Sequence, residues 1–150
     1  MASTFISMNI HCVFSTKDRQ KIIDKEIMNR LYSYMGGIAR QNNMVAQAVG
    51  GTSDHIHLLL SIPATINLAK AVQLIKVGSS KWIHDEFPDR SGFAWQTGYS
   101  AFSVSVGKLH DIILYINNQE EQHKRRTFDD EYIDFLKKSG IDYDDRYVFG

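Results

Sequence analysis

Apolar and polar residues alternate along the first stretch of the chain. From Phe5 to Ser15 the even positions Ile6, Met8, Ile10, Cys12 and Phe14 are apolar, while Ser7, Asn9, His11 and Ser15 among the odd ones are polar. A period of two predicts a strand with one face turned to a core. After Asp24, placed to cap a helix, Ile27, Leu31, Tyr34, Met35 and Ile38 recur every three or four residues and predict a helix that ends near Asn42-Asn43. Met44–Val49 and His55–Ile62 flank Gly50-Gly51-Thr52-Ser53-Asp54 and predict a hairpin. Asn67 caps a second helix with Leu68, Val72, Ile75, Ser79 and Trp82 along one side. Phe93–Ser103 is a fourth strand interrupted at Gly98. A third helix is expected from Ser105 to about His123, carrying the stripe Val106, Leu109, Ile112, Ile113 and Ile116. Thr127 and Asp130 suggest a capping box for a last short helix that Gly140 ends. The order βαββαβ followed by further helices predicts an α+β, ferredoxin-like antiparallel sheet with additional C-terminal helices.

The chain has 150 residues and shows no repeat, low-complexity tract or linker, so a single domain over 1–150 is expected. No stretch approaches the roughly 18 to 20 apolar residues that span a bilayer, and Met1–Phe5 lacks the basic and apolar regions of a secretory signal. Cys12 is the only cysteine and has no partner for an internal disulfide, which fits a reducing cytoplasm. These features set aside membrane and secreted classes and predict a cytoplasmic protein. The formal net charge of zero is unusual for a nucleic-acid binder, but the charge is unevenly spread. From Asp129 onward seven acids stand against three bases, out of 17 of each in the chain, which leaves residues 1–128 with 14 bases against 10 acids. The body is mildly basic and the tail acidic, which permits contact with phosphates.

Candidate chemistry is concentrated in two pairs. His55 and His57, two apart in a strand, project from the same face, while Ile56, Leu58 and Leu60 point to the core. Neutral imidazoles side by side form half of a divalent-metal site, although the same pattern also describes two hydrogen-bonded surface histidines. Tyr115 and Gln119, four apart on the third helix, share a face beside its apolar stripe. A glutamine carbonyl can complete a metal's coordination and a phenol one turn away can act as a nucleophile. The alternative is a half-buried tyrosine and a surface glutamine. No dedicated base for the phenol is apparent. Lys17, Arg19 and Lys21 after the first strand, and Lys70, Lys76, Ser79, Ser80 and Lys81 on the second helix, are candidates to grip phosphates or, equally, solvated surface. His84, His110 and His123 read as surface or packing residues, Asp54 as a turn residue, and Trp82 and Trp95 as core.

Three stretches carry a resemblance: Gly50-Gly51-Thr52-Ser53-Asp54-His55-Ile56-His57-Leu58-Leu59-Leu60, then Trp95–Ser105, then Tyr115-Ile116-Asn117-Asn118-Gln119-Glu120. In order and spacing the chain from about Phe5 to Tyr147 resembles the single-tyrosine HUH transposases of the insertion-sequence 200 group and their palindrome-associated relatives. The resemblance implies that His55 and His57 are metal ligands, Gln119 a further ligand and Tyr115 the nucleophile, with magnesium or manganese as cofactor. It also implies cleavage of single-stranded DNA bearing hairpins, a 5′-phosphotyrosine intermediate with a free 3′-hydroxyl, and a homodimer whose sites can combine the histidines of one chain with the tyrosine of the other. Two other functions remain to be weighed, a relaxase-like HUH nuclease and a binder of structured nucleic acid that does not cut.

Overall fold

The computed structural model describes residues 3–149. Four antiparallel strands form one sheet in the order β2-β3-β1-β4, where β1 is Asn9–Ser15, β2 Val45–Gly51, β3 His55–Ser61 and β4 Ser100–Ser103. Helices α1 (Lys25–Gln41) and α2 (Leu68–Glu86) are the crossovers of the βαββαβ unit. Their apolar stripes cover the face that carries Cys12, Phe14, Ile56, Leu58 and Leu60, and together these form the main core. Both helices begin where their caps require. Asp24 accepts from the amide of Ile27 at 3.0 Å and Asn67 from that of Lys70 at 2.8 Å.

The opposite face is covered as well. Helices α3 (Leu109–Asn117), α4 (Gln119–His123) and α5 (Phe128–Lys138) lie over it, so every residue of β3 but Ser61 is buried. Ile116 of α3 packs on Ala48 and Leu59, and Phe128, Tyr132 and Leu136 of α5 pack on Val13 and Phe102. α3 comes so close to β2 that a β-carbon at Gly50 would collide with the backbone carbonyl of Ile116. α5 starts at Thr127, whose hydroxyl accepts from the Asp130 amide at 3.2 Å, and stops before Gly140 at φ 68°.

Three expected boundaries shift. β1 pairs only from Asn9, and residues 3–8 are exposed. The fourth strand, expected from Phe93, pairs regularly only over Ser100–Ser103, with an isolated bridge between Trp95 and Thr16. Lys76 explains the interruption, because its ammonium donates to the carbonyls of Gln96 (2.7 Å) and Gly98 (2.9 Å) and draws this segment toward α2. The helix expected from Ser105 to His123 breaks at Asn118, with φ −115° and ψ 28°, into α3 and α4. Among the described residues no helix is long and apolar enough to cross a membrane.

Candidate active site

The site is built on the sheet face turned toward α3, α4 and α5. Alternation along β3 puts His55 and His57 there, both with no exposed surface. Asp54, just before β3, accepts from Nδ1 of His55 at 2.8 Å, and Thr52 lies 3.0 Å from the same nitrogen. Burial works to raise the Asp54 carboxyl, but the hydrogen bond from His55 and the nearby Arg19 hold it below the usual carboxylate range. Asp54 therefore does more than shape the turn: it fixes the imidazole so that Nε2 faces inward. His57 is held from both sides, with Nδ1 2.8 Å from Nε2 of His11 and Nε2 2.8 Å from Oε1 of Glu131. Burial pushes His57 down to about 4 and His11 down to about 3, so both rings are neutral at ordinary pH.

Tyr115 and Gln119 do converge on the histidines, though not as neighbours along one continuous helix. The break at Asn118 starts a new helix at Gln119, which becomes buried with Oε1 3.1 Å from Nε2 of His55. Tyr115 is half-buried, its ring 5.8 Å from that of His57. Its hydroxyl donates to Oε2 of Glu131, and Arg126 donates to the phenol oxygen at 3.2 Å. Burial, followed by the contact with Glu131, raises the phenol above its ordinary value, while Arg126 and Gln119 oppose the shift. The resting nucleophile candidate is therefore a phenol.

Two members of the cluster were not singled out in the sequence. Glu131 is fully buried, and although burial alone would raise its carboxyl, hydrogen bonds from His123 and His57 hold it far below the usual range. It had been counted with the acidic tail. The signal was its place: Phe128, Glu131, Tyr132, Phe135 and Leu136 follow the i, i+3, i+4, i+7, i+8 pattern of a buried stripe, so a carboxylate there must have buried donors. His123, expected on the surface or in packing, instead has Nε2 3.1 Å from Oε1 of Gln119 and 3.4 Å from Oε2 of Glu131. The break after α3 turns it inward. His84 and His110 are exposed, as expected.

A test of the cluster's fitness for a cation comes from its lone pairs. The Asp54 carboxylate only accepts, so Nδ1 of His55 donates to it and Nε2 is left facing the Gln119 oxygen at 3.1 Å. A nitrogen and an amide oxygen aimed at one point can both be ligands of a cation. Ligand atoms of His55, His57 and Glu131 also lie within 4.8 Å of one another. Nitrogen and oxygen donors of this kind suit a divalent ion such as manganese or magnesium. A cleft of about 510 Å³, with Gly51, Ile116, Asn118 and Gln119 in its wall, opens beside the cluster.

The candidate phosphate contacts are spread over the surface and differ in availability. Lys17 and Lys21 are exposed. Arg19 is half-buried and paired with Asp129 and, at 3.6 Å, Asp54. Lys76 is committed to backbone carbonyls, Ser79 is buried and accepts from the Trp95 indole at 3.0 Å, and Lys81 pairs with Asp85 at 2.7 Å. Ser80 is half-buried and Lys70 exposed. Trp95 packs edge-on against Phe14 and Phe93 in the core, while Trp82 stacks on Tyr34.

Comparison with known proteins gives the chain's family and relatives. The family described as "Transposase IS200 like" matches residues 4–119. The ISDra2 transposase TnpA of Deinococcus radiodurans is 24% identical over 120 residues, covering 77% of this chain and 86% of that protein. The transposase for insertion sequence element IS200 of Salmonella typhimurium is 27% identical over 131 residues, covering 83% and 84%. A crystal structure of a transposase from Deinococcus radiodurans R1 superimposes with a TM-score of 0.66 at 25% identity, covering 79% of this chain and 95% of that one. The structure of a REP-associated tyrosine transposase bound to a REP hairpin shares the fold, with a TM-score of 0.59 at 12% identity over 82% of this chain and 73% of that one.

Proposed function

The chain belongs to the IS200-like transposase family, and on that premise we propose that it cuts and rejoins single-stranded DNA through a covalent bond between Tyr115 and a 5′-phosphate. The observation that carries the reading is the meeting of the Tyr115 hydroxyl with a buried cluster of His55, His57, Gln119 and Glu131 in one chain. When bound by His55, His57 and Gln119, a magnesium or manganese ion supplies Lewis acidity to a non-bridging phosphate oxygen. Tyr115 attacks phosphorus in line with the departing 3′-oxygen. The tyrosyl–phosphate bond forms as the bond to the 3′-oxygen breaks, so the phosphodiester is exchanged for a phosphotyrosyl ester and no ATP is consumed. Arg126 stabilises negative charge on the phenol oxygen through its 3.2 Å hydrogen bond. A 3′-hydroxyl later attacks the phosphotyrosine and restores the tyrosine.

The DNA substrate we propose is a single strand bearing a hairpin, as in the REP-hairpin complex of the fold relative. Exposed Lys17, Lys21 and Lys70 can meet its phosphates without first breaking an ion pair. The protein acts as a homodimer in this reading, with β4 at one edge of the sheet offering an unpaired side. Incubation with single-stranded DNA from the flanks of the gene tests the function. An SDS-resistant adduct that maps to Tyr115 by mass spectrometry and vanishes in EDTA is expected. Hairpin binding with no adduct under any metal would assign the protein to the non-cutting binders instead.

A further inference from the structure

The family match ends at residue 119, yet the site does not. Helix α5, beyond the match, inserts a carboxylate that touches the nucleophile itself, and we propose that Glu131 is the general base that takes the proton from Tyr115 during attack. The proposal rests on the reading of Tyr115 as nucleophile. Its grounds are geometric. Oε2 of Glu131 accepts the Tyr115 hydroxyl, while Oε1 lies 2.8 Å from His57, so the carboxylate bridges the phenol to the ligand cluster. The Tyr115 hydroxyl donates to Glu131, so it carries a proton that it must shed as the oxygen bonds to phosphorus. Among the groups that bear on the hydroxyl, Arg126 only donates, Gln119 favours the ionised phenol as a donor does, and Glu131 accepts.

The step balances without a further reactant. The phenol oxygen forms the bond to phosphorus, its proton passes to Oε2 of Glu131, the bond to the 3′-oxygen breaks, and the 3′-oxygen takes a proton from water. In rejoining, a 3′-hydroxyl attacks the phosphotyrosine and gives its proton to water, the bond from phosphorus to the phenol oxygen breaks, and Glu131 returns its proton to the departing phenolate.

Glu131→Gln keeps the size of the side chain and removes the base. Adduct formation at saturating DNA and saturating manganese is expected to fall about a hundredfold or more, while hairpin affinity changes by less than about threefold. Replacing Tyr115 by 3,5-difluorotyrosine provides a more acidic nucleophile that depends less on a base. In the Glu131→Gln background it should restore most of the lost rate, which a merely structural role for Glu131 does not predict. Adduct formation by Glu131→Gln at wild-type rate overturns the proposal. So does a faster reaction, which would make the contact a clamp on the tyrosine, or a loss that difluorotyrosine fails to repair. If Glu131→Gln does not fold, Glu131→Asp against Glu131→Asn makes the same comparison, with the carboxylate expected to be the more active and equal activity fatal to the proposal. Wild-type protein that forms no Tyr115 adduct overturns the function as well, whereas a wild-type adduct with an unimpaired Glu131 variant overturns the base alone.

Discussion

The side chains of the site behave as one charge-coupled group, and single substitutions should separate their roles. Tyr115→Phe is expected to abolish the covalent adduct and leave hairpin binding intact. Because it removes one donor to a buried carboxylate, it should cost about 1 kcal/mol of stability in urea unfolding. His57→Ala is expected to eliminate cleavage together with manganese binding, and binding at wild-type affinity would remove His57 from the ligand set. Acid sensitivity follows from the same cluster. His11 and His57 are lowered to about 3 and about 4 in the fold, so the unfolded chain takes up protons first as the pH falls below about 6.5. Glu131 is lowered too, and its contribution, complete above the ordinary carboxylate range, is lost on further acidification. All three shifts have the same consequence: the metal-free protein should lose stability steadily from about pH 6.5 downward, and a midpoint in urea that does not change between neutral pH and pH 4.5 would contradict it.

At the level of elements, α5 has an unexpected importance. His55, His57 and Glu131 have no exposed surface beneath α3, α4 and α5, and loosening of α5 is expected to ease the entry of a metal ion. Thr127→Ala removes the cap of α5 and should cost about 1 kcal/mol. The same substitution should speed manganese association in stopped-flow measurements. Gly50→Ala is expected to push α3 away from β2, since the added methyl meets the Ile116 carbonyl, and to lower adduct formation by displacing Tyr115. Much of this architecture was legible in the sequence because it depends on local chemistry. Asp24, Asn67 and Thr127 cap the helices they were expected to cap, and the period-two pattern put His55 and His57 opposite Ile56 and Leu58. What could not be read depends on distant contacts. The stretch from Ser105 to His123 has unbroken helical periodicity, yet packing ends α3 at Asn117. Phe93–Ser103 was expected to be a strand interrupted only at Gly98, yet regular pairing begins at Ser100, and Lys76 holds the carbonyls of Gln96 and Gly98 toward α2. Glu131 was hidden by the acids around it, because composition does not distinguish a buried carboxylate from a solvated one.

Over the whole molecule, the tyrosine lies against the histidines of its own chain, at 5.8 Å between the rings of Tyr115 and His57. Mixing Tyr115→Phe with His57→Ala chains under verified subunit exchange is therefore expected to restore no cleavage, and recovery would show that α3 changes chains. Binding should weaken as salt rises, since released counterions contribute to it even for a chain of zero net charge whose first 128 residues are basic. Perfect duplex should be a poor substrate, because its bases are already stacked and paired. The core adds a practical consequence. The only thiol, Cys12, is completely enclosed between the sheet and its helices, and burial pushes it up to about 12. It is expected to be silent toward maleimides at neutral pH. A cysteine introduced at exposed Val77 or Leu114 would thus be the sole reactive one, and a fluorophore could be attached there without first deleting a native residue. Evolution has left the chain, in effect, already prepared for single-molecule observation.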